Sequence, residues 1–147
     1  MHRLPLLPLL ALLLTACPHT PAPPTPVTAG WTSTVHGVPV LWRWADPHTL
    51  TRIHQMPVSG DAAGWKTPCE VRIDAALAAH ELTRVAAHEW MHCADARYDL
   101  PGDAETVAEA YATLYQQECG DSLAPLGWPS YAVPRCAQAP DPRLLHP

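Results

Sequence analysis

Two histidines and a glutamate set the chemistry this chain can do. His88, Glu89 and His92 form His-Glu-x-x-His, and between Val85 and Ala94 no charged residue other than Glu89 appears. On an α-helix each residue turns by about 100° and rises about 1.5 Å, which leaves His88 and His92 about 40° and one turn apart. Both imidazoles can then reach one metal ion, and Zn2+ is the ion this pattern suits. Glu89 falls on the flank of that face. There it is too far round to share the metal easily, but close enough to take a proton from a metal-bound water. Leu82, Val85, Ala86 and Trp90 surround the motif with apolar or helix-compatible residues, the signature of a buried helix. A buried helix carrying three such polar groups must satisfy them, and a metal does so for all three.

Zinc in a catalytic site takes three protein ligands plus water, so a third ligand must come from elsewhere. The motif helix should begin near residues 75–81 and end near Arg97, because Asp99-Leu100-Pro101-Gly102 cannot continue it. A second helix follows at once. Asp103 can cap it, Val107, Ala108, Tyr111, Ala112, Leu114 and Tyr115 recur at helical spacing, and Cys119-Gly120 stops it. The short connection makes the two an αα-hairpin. Glu105 and Glu109 share one face of the second helix, and Ala108, Ala110 and Ala112 would let it approach closely.

At this point the chain resembles the gluzincins, zincin metallopeptidases in which His-Glu-x-x-His is followed by a helix bearing a glutamate ligand. Thr106-Val107-Ala108-Glu109-Ala110-Tyr111 resembles the pattern around that glutamate, and the likeness covers roughly residues 82–115. The resemblance implies that His88, His92 and Glu109 bind Zn2+ and that Glu89 is the general base of peptide hydrolysis. Glu105, Asp95 and Asp99 remain alternative third ligands; the chain lacks the Gly-x-x-His continuation of metzincins. A tetrahedral oxyanion needs a further donor. The candidates are Tyr98, Tyr111, Tyr115, Tyr131 and Arg135, with Tyr98 chosen for its place in the connection beside the motif.

The 147 residues suffice for one small domain, and the start of the chain is not part of it. Met1-His2-Arg3 is a short basic region, Leu4 to Leu14 is an apolar run too short to span a bilayer permanently, and Leu14-Thr15-Ala16-Cys17 resembles a bacterial lipobox. That resemblance implies a signal peptide at residues 1–16 and lipidation of Cys17. The protein would then be anchored to a membrane of the bacterial cell envelope and face away from the cytoplasm. Residues 17–30, rich in proline, read as a tether, and residues 31–147 as the domain. The net charge of −5 and the lack of any basic cluster make nucleic acid an unsuitable partner, which leaves a peptide or protein substrate and the membrane.

Besides Cys17 the chain carries Cys69, Cys93, Cys119 and Cys136, an even count that suggests two disulfides in an exported domain. Of the three possible pairings, Cys69–Cys93 with Cys119–Cys136 is favoured. The first ties the segment entering the motif helix to that helix, and the second closes a short loop.

Residues 31–44 suit two short strands around His36-Gly37, and Glu70-Val71-Arg72-Ile73-Asp74 alternates as a half-buried strand does. Between them residues 45–64 are less readable, with Leu50, Ile53 and Met56 as expected buried points and His48 and His54 as surface or hydrogen-bonded residues. Zincins pair an edge strand with extended substrate, and either 38–44 or 70–74 could take that role by resemblance. The fold class expected is α+β, a small mostly antiparallel β-sheet packed on the active-site helix and the second, Glu-bearing helix. The function expected is a zinc-dependent peptidase acting on envelope or extracellular proteins. The alternative is a non-catalytic zinc-binding lipoprotein that serves as a binding or assembly module.

Overall fold

Strand β1 (Trp31–Val35) runs into β2 (Val38–Ala45) through His36-Gly37. Both turn residues have positive φ, 48° and 74°, the tight-hairpin geometry that matches strand twist. The computed structural model describes residues 30–129 and 132–145. The signal peptide, Cys17 and its tether through residue 29, and Tyr131 lie outside the described residues.

After β2, Asp46 caps helix α1 (Pro47–His54) by accepting from the His48 N–H at 3.0 Å, and Pro47 opens its first turn. Leu50 is fully buried and fastens α1 to the domain, whereas Ile53 and Met56 are exposed, contrary to expectation. Strands β3 (Gly60–Ala63) and β4 (Cys69–Asp74) then complete a sheet of order β1-β2-β4-β3.

The sheet is mixed rather than mostly antiparallel. Its two outer pairings are antiparallel, but β2 and β4 run parallel from Val40↔Cys69 to Ala45↔Asp74. Parallel neighbours need a crossover connection, and α1 with β3 provides it. Those elements lie in the stretch whose sequence pattern is weak. Consequently residues 38–44 and 70–74 form the inner pair of the sheet, and the edges are β1 and β3. Pro39 sits before the β4 ladder begins, where no N–H is required of it.

Val38, Val40 and Trp42 alternate inward on β2, as do Cys69, Val71 and Ile73 on β4, and all six are buried. Helix α2 (Ala79–Tyr98) packs against β2, β3 and β4, and α3 (Ala104–Cys119) lies along α2. At the end of α2, Asp99 turns left-handed with φ 50° and Pro101 follows. Asp103 then caps α3 by accepting from the Thr106 N–H at 2.9 Å, and Gly120 closes it. Ala108 and Ala112 are fully buried between the helices, and Trp90 of α2 meets Tyr111 of α3 with ring centroids 5.1 Å apart.

Two disulfides staple this arrangement. Cys69–Cys93 joins β4 to α2, and Cys119–Cys136 pins the C-terminal segment to the end of α3. That segment brings Trp128 against Trp31, Trp42 and Trp44, so it covers the sheet aromatics as well as the helices.

Candidate metal centre

His88 and His92 lie on one face of α2 with their Nε2 atoms 3.2 Å apart. A glutamate of α3 straddles the pair: Glu105 Oε2 is 3.3 Å from His88 Nε2, and Glu105 Oε1 is 3.3 Å from His92 Nε2. The two glutamate contacts use different carboxylate oxygens; taking one ligand atom from each residue, the three atoms all lie within 4.8 Å of one another. The group His88, His92 and Glu105 is therefore positioned to hold a metal ion.

Glu109, the glutamate expected in that place, stands one turn further along α3. Its carboxylate accepts two hydrogen bonds from Arg84 Nη1, at 3.0 and 2.8 Å, and its Oε2 is 3.4 Å from His88 Nδ1. That nitrogen is buried and makes no hydrogen bond. A His88 that gives Nε2 to a metal needs an acceptor for its Nδ1–H, and Glu109 is the carboxylate facing it. Arg84 in turn holds Glu109, while Glu81 accepts from Arg84 Nε at 3.2 Å.

Burial pushes the His92 imidazole below its ordinary pKa, with the Glu105 carboxylate opposing. A neutral imidazole is the form a metal requires. Glu89 is buried in the wall beside the group, and its pKa is pushed up to about 8, first by desolvation and then by the carboxylates of Asp61 and Glu105. Without a metal that burial keeps the carboxyl group mostly protonated at neutral pH, and a cation held by the neighbouring ligands would favour its ionised form.

A cleft of about 550 Å³ opens on this centre. Arg84, Val85, His88, Glu89 and His92 line it from α2, Glu105 and Glu109 from α3, residues 58–62 from the sheet edge, and His54 from the end of α1. Strand β3 approaches α2 so closely that a Cβ on Gly60 would lie 2.8 Å from Val85 Cγ1 and 3.0 Å from Glu89 Cγ. Opposite Arg72 in the β3–β4 register stands Asp61, a buried carboxylate that accepts from Arg72 Nε at 2.8 Å and also from Nη2. Asp61 also meets His54 Nε2 at 2.9 Å. Sequence reasoning passed over Asp61 and Gly60. Only the charge at Arg72, its partner across the strands, could have pointed to Asp61.

The remaining candidates are engaged elsewhere. Tyr98 donates its hydroxyl to the His36 carbonyl, lies under the Arg143 guanidinium and is not among the residues lining the cleft. Tyr111 donates to the Pro140 carbonyl at 2.9 Å, Tyr115 to the Ser122 carbonyl at 2.7 Å, and Arg135 to the Gln116 carbonyl at 2.8 Å. Asp95 accepts from the Leu100 N–H, and Asp99 supplies the helix cap. Cys93, next to His92, is spent in its disulfide.

Compared with protein-family models, with curated proteins and with solved structures, the chain matches none.

Proposed function

We propose that this protein is a zinc-dependent peptidase in which His88, His92 and Glu105 hold the metal and Glu89 is the general base. The observation that carries the reading is the group of two imidazoles and a carboxylate, one ligand atom from each lying within 4.8 Å of the others, in the lining of a cleft that Glu89 also lines. Two nitrogen ligands and one oxygen suit Zn2+, and three ligands leave one tetrahedral position for water. When bound, zinc supplies a water made acidic toward neutral pH and an electrophile for the scissile carbonyl.

The chain's own groups do the rest. Glu89 receives one proton of the attacking water as the water oxygen bonds to the carbonyl carbon. The carbon–nitrogen bond then breaks, and Glu89 passes that proton to the departing amine, so the proton account closes. Glu109 orients His88, and Arg84 fixes Glu109. The substrate strand goes to β3, the edge beside the site. Asp74 donates its N–H to the Ser59 carbonyl at 2.9 Å, and alternation along an antiparallel ladder then turns the backbone groups of Gly60 and Ala62 outward, toward an extended peptide.

The setting goes with the signal read at residues 1–17. Two disulfides suit an oxidising compartment, and among the described residues no helix is long and apolar enough to cross a membrane. The test is metal analysis together with hydrolysis of a mixed peptide library. Stoichiometric zinc, with turnover that E89Q lowers by about 10²-fold or more while zinc is retained, supports the reading. Zinc without turnover of any peptide would reduce the protein to a metal-binding module, and lack of zinc affinity removes both readings.

A further inference from the structure

Two large apolar side chains stand out in solvent beside the cleft. Ile53 is 45% exposed and Met56 59% exposed, three positions apart at the end of α1, whereas Trp65, Val133 and Leu144, the other large apolar residues exposed among the described ones, are each single in their segments. Arg52 adjoins the pair, exposed in the last turn of α1 and in no ion pair among the described residues. From Arg43 to Gly60 the chain contains one acid, Asp46, which is spent as the cap of α1, in a protein of net charge −5. A lone exposed apolar residue needs no explanation. Two of them joined to a free cation make the kind of surface that settles between lipid headgroups and acyl chains.

We propose that this patch of Arg52, Ile53 and Met56 sits on the anionic phospholipid bilayer to which Cys17 anchors the chain, and so holds the mouth of the cleft at that surface. The contact rests on the lipid anchor read at Cys17, and its consequence for the cleft on the peptidase reading. The occupant follows from where the chain enters the domain. A Cβ on Gly30 would lie 2.5 Å from the Trp42 carbonyl oxygen and 3.2 Å from Arg43 Cγ, which puts residue 30 beside the end of β2 that leads through Asp46 into α1. Residues 18–29 separate it from Cys17, and a chain of that length extends at most about 40 Å. Held by so short a tether, α1 meets the bilayer at a high effective concentration, and a weak contact suffices. Trp65, by contrast, lies past the far end of β3, in the turn to β4 at the opposite end of the sheet.

Charge selects the same face. Anionic headgroups attract Arg52 and repel the acidic surplus of the rest of the domain, which turns α1 toward the bilayer. The segment then continues into the cleft, where His54, Val58 and Ser59 are part of the lining. Patch and mouth thus belong to one stretch of backbone, and the substrates favoured are polypeptide segments held at the membrane surface.

The experiment couples the zinc-loaded exported chain, residues 17–147, through its Cys17 thiol to maleimide-bearing lipid in phosphatidylcholine vesicles with or without phosphatidylglycerol; the other four cysteines are in disulfides. Amide hydrogen exchange is compared with that of the same chain capped by N-ethylmaleimide in solution. On phosphatidylglycerol vesicles exchange over residues 47–57 is expected to slow at least about fivefold, with R52Q/I53Q/M56Q losing that protection and residues 64–68 keeping their solution rate. Unchanged exchange over 47–57, slowing confined to the turn at Trp65, or slowing that persists in the triple variant overturns the proposal. An unlipidated Cys17 in protein recovered from cells, read by mass spectrometry, overturns it too. Protection of α1 by a chain that cleaves neither free nor lipid-tethered peptides leaves the contact standing and rejects the peptidase reading alone, so the two failures are distinguishable.

Discussion

Glu89 is a buried carboxylate facing two others, Asp61 and Glu105, and that gives the metal-free protein a pH-dependent penalty that E89Q should remove. Its folded-state pKa of about 8 stands above the ordinary 4.5, chiefly through desolvation. Below pH 4.5 the group is neutral in both folded and unfolded chains and costs nothing. As pH rises, the unfolded chain releases the proton while the folded one keeps it. The stability present at low pH is therefore lost progressively until the folded pKa near 8 is passed. At about 1.4 kcal/mol per unit, wild type should lose roughly 2–3 kcal/mol between pH 5 and pH 7 that E89Q does not lose. For a domain of this size that corresponds to a difference on the order of 10 °C in Tm.

The assay is denaturant unfolding in a chelator, with disulfides intact, at several pH values. The change in the difference between the two proteins is the measured quantity, because it cancels His88, His92 and any fixed cost of the amide. Parallel stability curves from pH 5 to pH 7 would refute the reasoning. Saturating zinc should flatten the difference, because a nearby cation favours the ionised carboxylate.

Three further outcomes follow from the same geometry. E105Q should lower zinc affinity by well over 100-fold and E109Q by about 10- to 100-fold, measured against a chromophoric chelator; the reverse order would make Glu109 the ligand. G60A should destabilise the fold by about 1–3 kcal/mol in denaturant melts and depress activity, since its Cβ would press on Val85 and on Glu89 itself. Replacing Cys69 and Cys93 together with serine, which frees a link spanning 24 residues, should cost about 3 kcal/mol of unfolding free energy, and a cost near zero would show that the bridge does not constrain the unfolded chain.

Much of the helical hairpin is legible in the chain because its signals are local. Asp103, Gly120 and the Leu100-Pro101-Gly102 break act within a turn of where they stand, and the apolar spacing of Val107, Ala108, Tyr111 and Tyr115 marks the buried face of α3. The strands with strong alternation, β2 and β4, are legible for the same reason. Strand β3 is not: Gly60-Asp61-Ala62-Ala63 has residues that strands disfavour, and it is a strand only because β4 offers a ladder. Missing it hid the crossover, so the sheet looked mostly antiparallel and either residues 38–44 or 70–74 looked able to be its edge. Helix α1 carries a cap and a proline at its start, yet with only Leu50 buried its apolar period is too short to read.

By itself the sequence determined that two imidazoles and a carboxylate share a helix, because a spacing of four residues is an angular fact about any α-helix. It also placed two glutamates four apart on the facing helix. Which of those comes to the metal group was decided by the tertiary structure. The crossing of α3 over α2 sets Glu105 between His88 and His92 and leaves Glu109 to Arg84, a charge on the other helix. His54 and Asp61 likewise meet only because β3 pairs with β4, bringing Arg72 and the end of α1 to the same carboxylate. Periodicity within one element is written in the chain, but the phase between two elements comes from the packing of both.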